Sequence, residues 1–216
     1  MSNNIVNLTR PKEKPLSSLK QLFSLLIPHS VPFYPQSKQF SFHKKSEELQ
    51  VLLLIKGRIE IYTHSCQILF VDIDAPAILG MQGSELLYEA YQFQIGRKSD
   101  ETIMRTVPLS RCIEILTQSH GLSAMLDYQR YIRDYQLYRN TILACKKTQD
   151  IVCALLNEIS EFPPEKRVKI NVANYIGERS TLARSGIMKV LALMKEENYI
   201  QTEKGKLVKI LKQFPA

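Results

Sequence analysis

Cysteine is scarce and dispersed in this 216-residue sequence: Cys66, Cys112, Cys145 and Cys153 stand far apart, with no C-x-x-C pair. Structural zinc and iron–sulfur clusters need clustered thiolates, so neither is expected. Cys145 and Cys153, eight residues apart, read as small buried hydrophobes. Long apolar runs are missing too. The longest, Leu49–Ile55, is interrupted by Gln50 and stops at Lys56, well short of the ~20 residues a membrane span requires. The opening stretch MSNNIVNLTRPKEKP has no signal-peptide apolar core, so a cytoplasmic protein is expected. His29, His43, His64 and His120 are scattered, with no H-x-x-x-H and no Asp or Cys at metal-ligand spacing. There is no Gly-rich phosphate loop and no defensible Ser-His-Asp order. Asp72 and Asp74 lie on one face of a strand, but without a third acidic partner they read as a solvated strand end beside Pro76. No catalytic constellation is left, so the expectation is no enzyme, no metal and no cofactor.

What is present is positive charge, and it is unevenly placed. The formal net charge is +8, and residues 164–216 hold 11 Lys and Arg against 5 Asp and Glu. A basic surplus concentrated in one module is the electrostatic footprint of a phosphate-binding surface. Within that module, the stretch VANYIGERSTLARSGIMKVLALMKEENYI (172–200) reads as two short helices and a tight turn. Val172, Ala173 and Ile176 mark the first helix, and Gly177 removes a side chain where the helices are expected to cross closely. The second begins near Leu182, with Ile187, Val190, Leu191 and Met194 on one stripe and Arg184, Ser185, Met188, Lys189 and Ala192 opposite. Two β-like runs follow, Asn198–Thr202 and Lys206–Lys212, around a Glu203-Lys204-Gly205 turn. Helix, turn, helix, hairpin is the order of a winged helix-turn-helix, whose second helix can enter the DNA major groove.

The rest of the chain is read in order. Residues 1–15 are polar and aperiodic, a flexible N-terminus. Leu16–Ile27, bracketed by Pro15 and Pro28, places Leu19, Leu22, Phe23, Leu26 and Ile27 on one helical face. Short β-like runs then recur: Gln39–His43, Glu48–Ile55, Arg58–Thr63, Ile68–Ile73, Ala77–Leu79, Leu86–Tyr88, Tyr91–Ile95 and Glu101–Val107. Such spacing implies a β-sandwich or barrel rather than βαβ units. Lys56-Gly57-Arg58 reads as a hairpin turn. After Pro108, Leu109, Cys112, Ile113 and Leu116 suggest a short helix. Gly121 then precedes a long one reaching about Lys146. Along it Ala124, Tyr128, Tyr131, Tyr135, Tyr138, Ile142 and Cys145 recur at alternating steps of four and three, the period of a helix–helix seam. The same residues could also cover the β-region of their own chain, and both can hold, because a long connecting helix has two neighbours. Arg130, Arg133 and Arg139, with Asp127 and Asp134, read as solvated flanks. Thr148–Phe162 is a further amphipathic helix, ended by Pro163-Pro164.

On these residues the chain resembles the Crp/Fnr regulator superfamily. Members carry an Arg, then often an acidic or polar residue, then a basic residue one turn on, at the start of the recognition helix. Arg184, Ser185 and Lys189 stand at those places. Thr181 replaces a common turn glycine and Ser185 the usual Glu, so a Crp-type operator is not implied. LLIKGRIEIY (53–62) is similar to the strand–glycine–strand signature of the cyclic-nucleotide-binding β-roll. Ile78-Leu79-Gly80 falls where the family's phosphate cassette begins. There the likeness thins. Met81-Gln82-Gly83 follows Gly80, GSELLYEAYQF (83–93) contains no Arg, Arg97-Lys98 comes late, and Glu85 and Glu89 would repel a phosphate. Cyclic AMP is therefore not an expected ligand. The degenerate cassette and the phrase YIGERSTLARSGIMKVL make the chain look like the IprA-like regulators, a group associated with hydrogen peroxide resistance.

The resemblance implies an α+β protein in four parts. They are a flexible 1–15, a double-stranded β-roll over 16–119, a long connecting and dimerisation helix over 120–146, and a winged helix-turn-helix over 147–216. It implies a homodimer joined through Ala124, Tyr128, Tyr131, Tyr135, Tyr138 and Ile142, with double-stranded DNA and RNA polymerase as partners. Arg184 and Lys189 would read base edges and Ser185 would adapt. Arg179, Ser180, Thr181, Lys204 and Lys206 would hold phosphates. Two alternatives stay open: a β-roll that senses another small ligand, and a winged module that docks a protein.

Overall fold

The computed structural model describes residues 11, 13–41, 44–45, 48–82, 90–96 and 101–214. The expected flexible N-terminal stretch, the expected strand Leu86–Tyr88, and Phe42, His43, Glu85, Glu89, Arg97 and Lys98 lie outside these residues almost entirely; of residues 1–15, only 11 and 13–15 are described. The chain folds as two compact units, one formed by Glu13–Ile132 and one built on Arg133–Ala216.

The first unit contains helix α1 (Leu16–Leu26), followed by a short 3-10 turn at Ile27–His29, then strands β1 (Val31–Phe33), β2 (Gln39–Phe40), β3 (Lys44–Lys45), β4 (Glu48–Lys56), β5 (Arg58–Thr63), β6 (Leu69–Asp74), β7 (Ala77–Leu79), β8 (Tyr91–Ile95) and β9 (Ile103–Pro108), and helix α2 (Leu109–Gln118). The strands make two antiparallel sheets. One runs β1-β9-β4-β3 with β7 also on β4, and the other runs β2-β8-β5-β6. This is the β-roll expected from the many short strands.

The run Val51–Leu54 explains itself in this setting. Successive side chains of a strand point to opposite faces. Leu52 and Leu54 enter the core between the sheets with Ile59, Ile61, Leu79, Phe93 and Met104. Val51 and Leu53 face the other way and pack with Leu19, Leu22 and Leu26 of α1 and Cys112, Ile115 and Leu116 of α2. A strand covered on both faces is apolar at every position, not at alternate ones.

Lys56-Gly57-Arg58 is not a hairpin turn. β4 and β5 belong to different sheets and do not pair. Gly57, at φ 90°, turns the corner that passes the chain from one sheet to the other. The acidic pair shares Arg58 as its partner: Asp72 is half-buried against it, while Asp74 lies 3.9 Å from it and is exposed, so only Asp74 is the solvated strand end.

Helix α3 (Leu122–Leu143) begins in the first unit and ends in the second. The second unit continues with α4 (Thr148–Ser160), α5 (Pro164–Arg167), α6 (Val172–Glu178), α7 (Arg184–Glu196) and the hairpin β10 (Ile200–Glu203) and β11 (Lys206–Ile210). Its core joins Leu155, Leu156 and Ile159 of α4 to Ile176 of α6, Ile187, Leu191 and Met194 of α7, and Ile200 and Leu207 of the hairpin.

The tyrosine seam of α3 is buried within the chain's own cores, which corrects its assignment as a dimer surface. Ala124 and Tyr128 belong to the core beneath the first sheet, and Tyr131 packs against it. The Tyr128 hydroxyl donates to the Ile78 carbonyl at 3.1 Å and accepts from the Ile78 N–H at 3.0 Å. Tyr135 is buried, and Tyr138 and Ile142 belong to the core of the second unit. A seven-residue period marks a packed face without saying whose surface it packs on. The face left open on α3 carries other apolar residues: Leu122, Leu126 at 64 % exposure and Leu137 at 63 %.

Among the described residues, no three His, Cys, Asp or Glu side chains come together as a metal-binding group. No described helix is long and apolar enough to cross a membrane. The thiols of Cys112 and Cys153 are buried, which pushes their pKa values up to about 11 and about 12.

Candidate nucleic-acid interface

The second unit builds its exposed basic face from three elements. α6 starts at Asn171, whose Oδ1 accepts the N–H of Asn174 at 3.0 Å and so caps the first turn. Val172, Ala173, Tyr175 and Ile176 are buried beneath it, which leaves Asn174 on the outer side. A methyl group on Gly177 would meet Ile187 Cδ1 at 3.7 Å, an ordinary contact. The crossing of α6 and α7 therefore does not demand glycine there, contrary to expectation.

The turn between the helices is held by Ser180. Its hydroxyl donates to the Ile176 carbonyl at 2.7 Å and accepts the Leu182 N–H at 3.4 Å. Ala183 is the N-cap of α7, so the helix starts at Arg184, two residues later than the sequence pattern suggested. Ile187, Leu191 and Met194 anchor α7 to the core, while Arg184, Ser185, Met188, Lys189 and Ala192 are exposed. Arg184 Nη1 donates to Asn174 Oδ1 at 2.9 Å.

The hairpin supplies the third element. Lys204 and Gly205 take positive φ at its tip, at 48° and 77°. The Gly205 carbonyl accepts the Val172 N–H at 2.9 Å, which ties the tip to the start of α6. The positive φ at Gly205 is what favours glycine there; a methyl would lie 2.9 Å from Asn171 Nδ2, the end of a side chain that can give way. Lys204 and Lys206 are exposed on either side of Gly205.

Of the eight residues expected to touch DNA, six lie on this open face: Thr181, Arg184, Ser185, Lys189, Lys204 and Lys206. Arg179 and Ser180 do not, which corrects their assignment as phosphate holders. Both are buried. The Arg179 guanidinium lies 3.7 Å from the centre of the Tyr175 ring and 3.6 Å from Glu178. A serine or arginine in a turn reads as solvent-facing in a sequence, because the burial of a turn depends on what packs under it.

What packs there is a polar cluster that the sequence reading missed. Arg139 of α3, read as a solvated flank, is 1 % exposed. Its Nη2 donates to the Arg179 carbonyl at 3.0 Å, and its Nη1 lies 3.7 Å from Glu158 Oε2 of α4. Glu158 also accepts from the Tyr138 hydroxyl at 3.3 Å and from the Tyr175 hydroxyl at 2.9 Å. Burial first, and the Glu158 carboxylate second, hold both phenols well above their usual pKa. The cluster thus fastens the end of α6, and with it the turn into α7, to α3 and α4.

Comparison with known proteins fits this geometry. Residues 148–216 match the family model described as winged helix-turn-helix DNA binding. The chain is similar in fold to the c-di-GMP responsive global regulator CLP of Xanthomonas campestris, with 13 % identity and a TM-score of 0.61 over 89 % of this chain and 100 % of that one. It is also similar to a transcriptional regulator of the Crp/Fnr family from Eubacterium rectale, with 15 % identity and a TM-score of 0.51 over 91 % of each chain. Residues 148–216 thus match a winged helix-turn-helix DNA-binding module, and the chain as a whole shares the fold of these solved proteins. Among curated proteins it is similar to the inhibitor of hydrogen peroxide resistance of Salmonella typhimurium, 24 % identical over 91 % of this chain and 94 % of that protein.

Proposed function

We propose that the protein is a DNA-binding transcriptional regulator of the Crp/Fnr type that acts as a cytoplasmic homodimer and reads a palindromic DNA site, without cyclic AMP and without catalysing a reaction. The observation that carries the reading is the exposed Arg184–Ser185–Lys189 surface of α7, with Arg184 steadied by Asn174. Arg184 and Lys189 contact base edges, most naturally guanine. Ser185 makes an adaptable contact, and Thr181, Lys204 and Lys206 take phosphates. Two copies present their α7 helices about 34–36 Å apart, one turn of duplex.

Leu122, Leu126 and Leu137 support dimerisation through the open face of α3. Their spacings of four and eleven residues put them on one helical stripe. The absence of Arg from residues 83–93 supports independence from cyclic AMP. The target genes govern hydrogen peroxide resistance, a reading supported by the similarity to the Salmonella protein over nearly its whole length. RNA polymerase is the further partner through which such binding would change transcription.

The test is selection of bound duplexes from a random pool by the purified protein, at physiological salt and without added ligand. A palindrome with half-sites about ten base pairs apart is the expected result. Sequence-blind, salt-labile retention alone would overturn it.

A further inference from the structure

The open face of α7 carries a large apolar side chain beside Arg184, Ser185 and Lys189. Met188 is 49 % exposed. It stands one turn after Arg184, three residues from Ser185 and next to Lys189, so it shares their surface. Along an α-helix it lies roughly 6 Å beyond Arg184, less than two base-pair steps of about 3.4 Å. Arg184, Ser185 and Lys189 beside it match a nucleic-acid surface better than an apolar protein partner, and Ala192, one turn on, adds only a methyl group. On the major-groove floor, the apolar group on offer is the C5-methyl of thymine. An unbranched thioether side chain adapts easily to such a contact.

We infer that Met188 reads a pyrimidine C5-methyl group, that of a thymine, one or two base pairs from the base taken by Arg184. The inference rests on the proposed docking of α7 in the major groove and gives one base of the site a chemical identity.

The experiment uses the full-length protein and a synthetic duplex carrying the selected site. Each thymine is replaced singly by deoxyuridine, and Kd is measured at fixed salt for the wild type and for Met188→Ala. At one position per half-site, uracil should weaken wild-type binding about fourfold, the equivalent of one buried methyl group. Met188→Ala should bind the thymine site more weakly by a similar factor and should not distinguish thymine from uracil. Met188→Leu should keep the distinction. With a G·C pair at that position, 5-methylcytosine should bind the wild type more tightly than cytosine does, which separates methyl contact from recognition of an A·T pair. Indifference of the wild type to uracil at every position overturns the inference, as does discrimination that survives in Met188→Ala. Failure to recover any specific site overturns the underlying reading of α7 instead, a separate outcome.

Discussion

Arg184 Nη1 donates to Asn174 Oδ1 at 2.9 Å, and so joins the first residue of α7 to the outer side of α6. A long guanidinium side chain on an open surface otherwise samples many rotamers. The bond to Asn174 uses one of its five N–H donors and leaves the others for a base. Arg184→Ala is therefore expected to weaken the selected site by ~1–3 kcal/mol and to relax preference at one base pair. Asn174→Ala keeps the charge and loses only the restraint. It should weaken the selected site by a smaller factor and leave binding to unrelated DNA unchanged. Titration of both variants against selected and scrambled duplexes checks this.

Lys204 and Lys206 flank Gly205, whose carbonyl accepts the Val172 N–H and so ties the tip to the start of α6. Their charges therefore sit at a set place beside α6. If each meets a phosphate, Lys204→Ala and Lys206→Ala should weaken all duplexes alike. Each should also lower the slope of log K against log salt by about 1. An unchanged slope removes that lysine from the contact set.

Glu158 receives Arg139, Tyr138 and Tyr175 in a space closed to water. Glu158→Leu leaves the Arg139 charge buried without its carboxylate and should destabilise the fold by about 3–5 kcal/mol. Replacing both partners, Arg139→Met with Glu158→Leu, should recover a large part of that loss. Chemical denaturation of the two variants measures the difference. A double variant no more stable than the single one would mean that the tyrosine contacts, not the ion pair, dominate.

The sequence carried the winged module well because each of its parts has a local signal. The α7 stripe, the glycine at the hairpin tip and the basic surplus are all visible one residue at a time. Arg139 has no such signal: an arginine amid Asn, Gln and Tyr reads as solvated until α4 and α6 are laid over it. The same holds for Gly57, where a glycine between two strands fits a hairpin and a corner between sheets equally well. The tyrosine period on α3 was legible as a packed face, but the packing partner is a tertiary fact. These misses share a cause: each needs contacts distant in sequence.

Cys112 and Cys153 are buried, and loss of solvation pushes their pKa values up from about 9 to about 11 and about 12. Both thiols hold their protons more tightly folded than unfolded. Their contribution to stability is therefore complete below about pH 9 and is lost as pH rises through 11 and 12. At neutral pH a thiolate-specific reagent should modify exposed Cys66 first and reach Cys112 and Cys153 only on unfolding. Rapid modification of either buried thiol in the native protein would show that it is open to solvent in the folded state.

Leu126 and Leu137 project from α3 at 64 % and 63 % exposure, whereas Tyr135 and Tyr138 of the same helix are buried. The two sets make opposite predictions about self-association. If copies of the chain meet through the open stripe, Leu126→Glu and Leu137→Glu place charges where apolar surfaces must desolvate. Sedimentation should then show monomers with unchanged folding. Tyr135→Phe alters nothing that a partner could touch and should leave the dimer intact. A dimer that survives both glutamates would have to use another surface. Where the variants become monomers, the two α7 helices lose the spacing by which a palindrome is read, so the same variants, assayed for half-site against full-site binding, connect assembly to recognition.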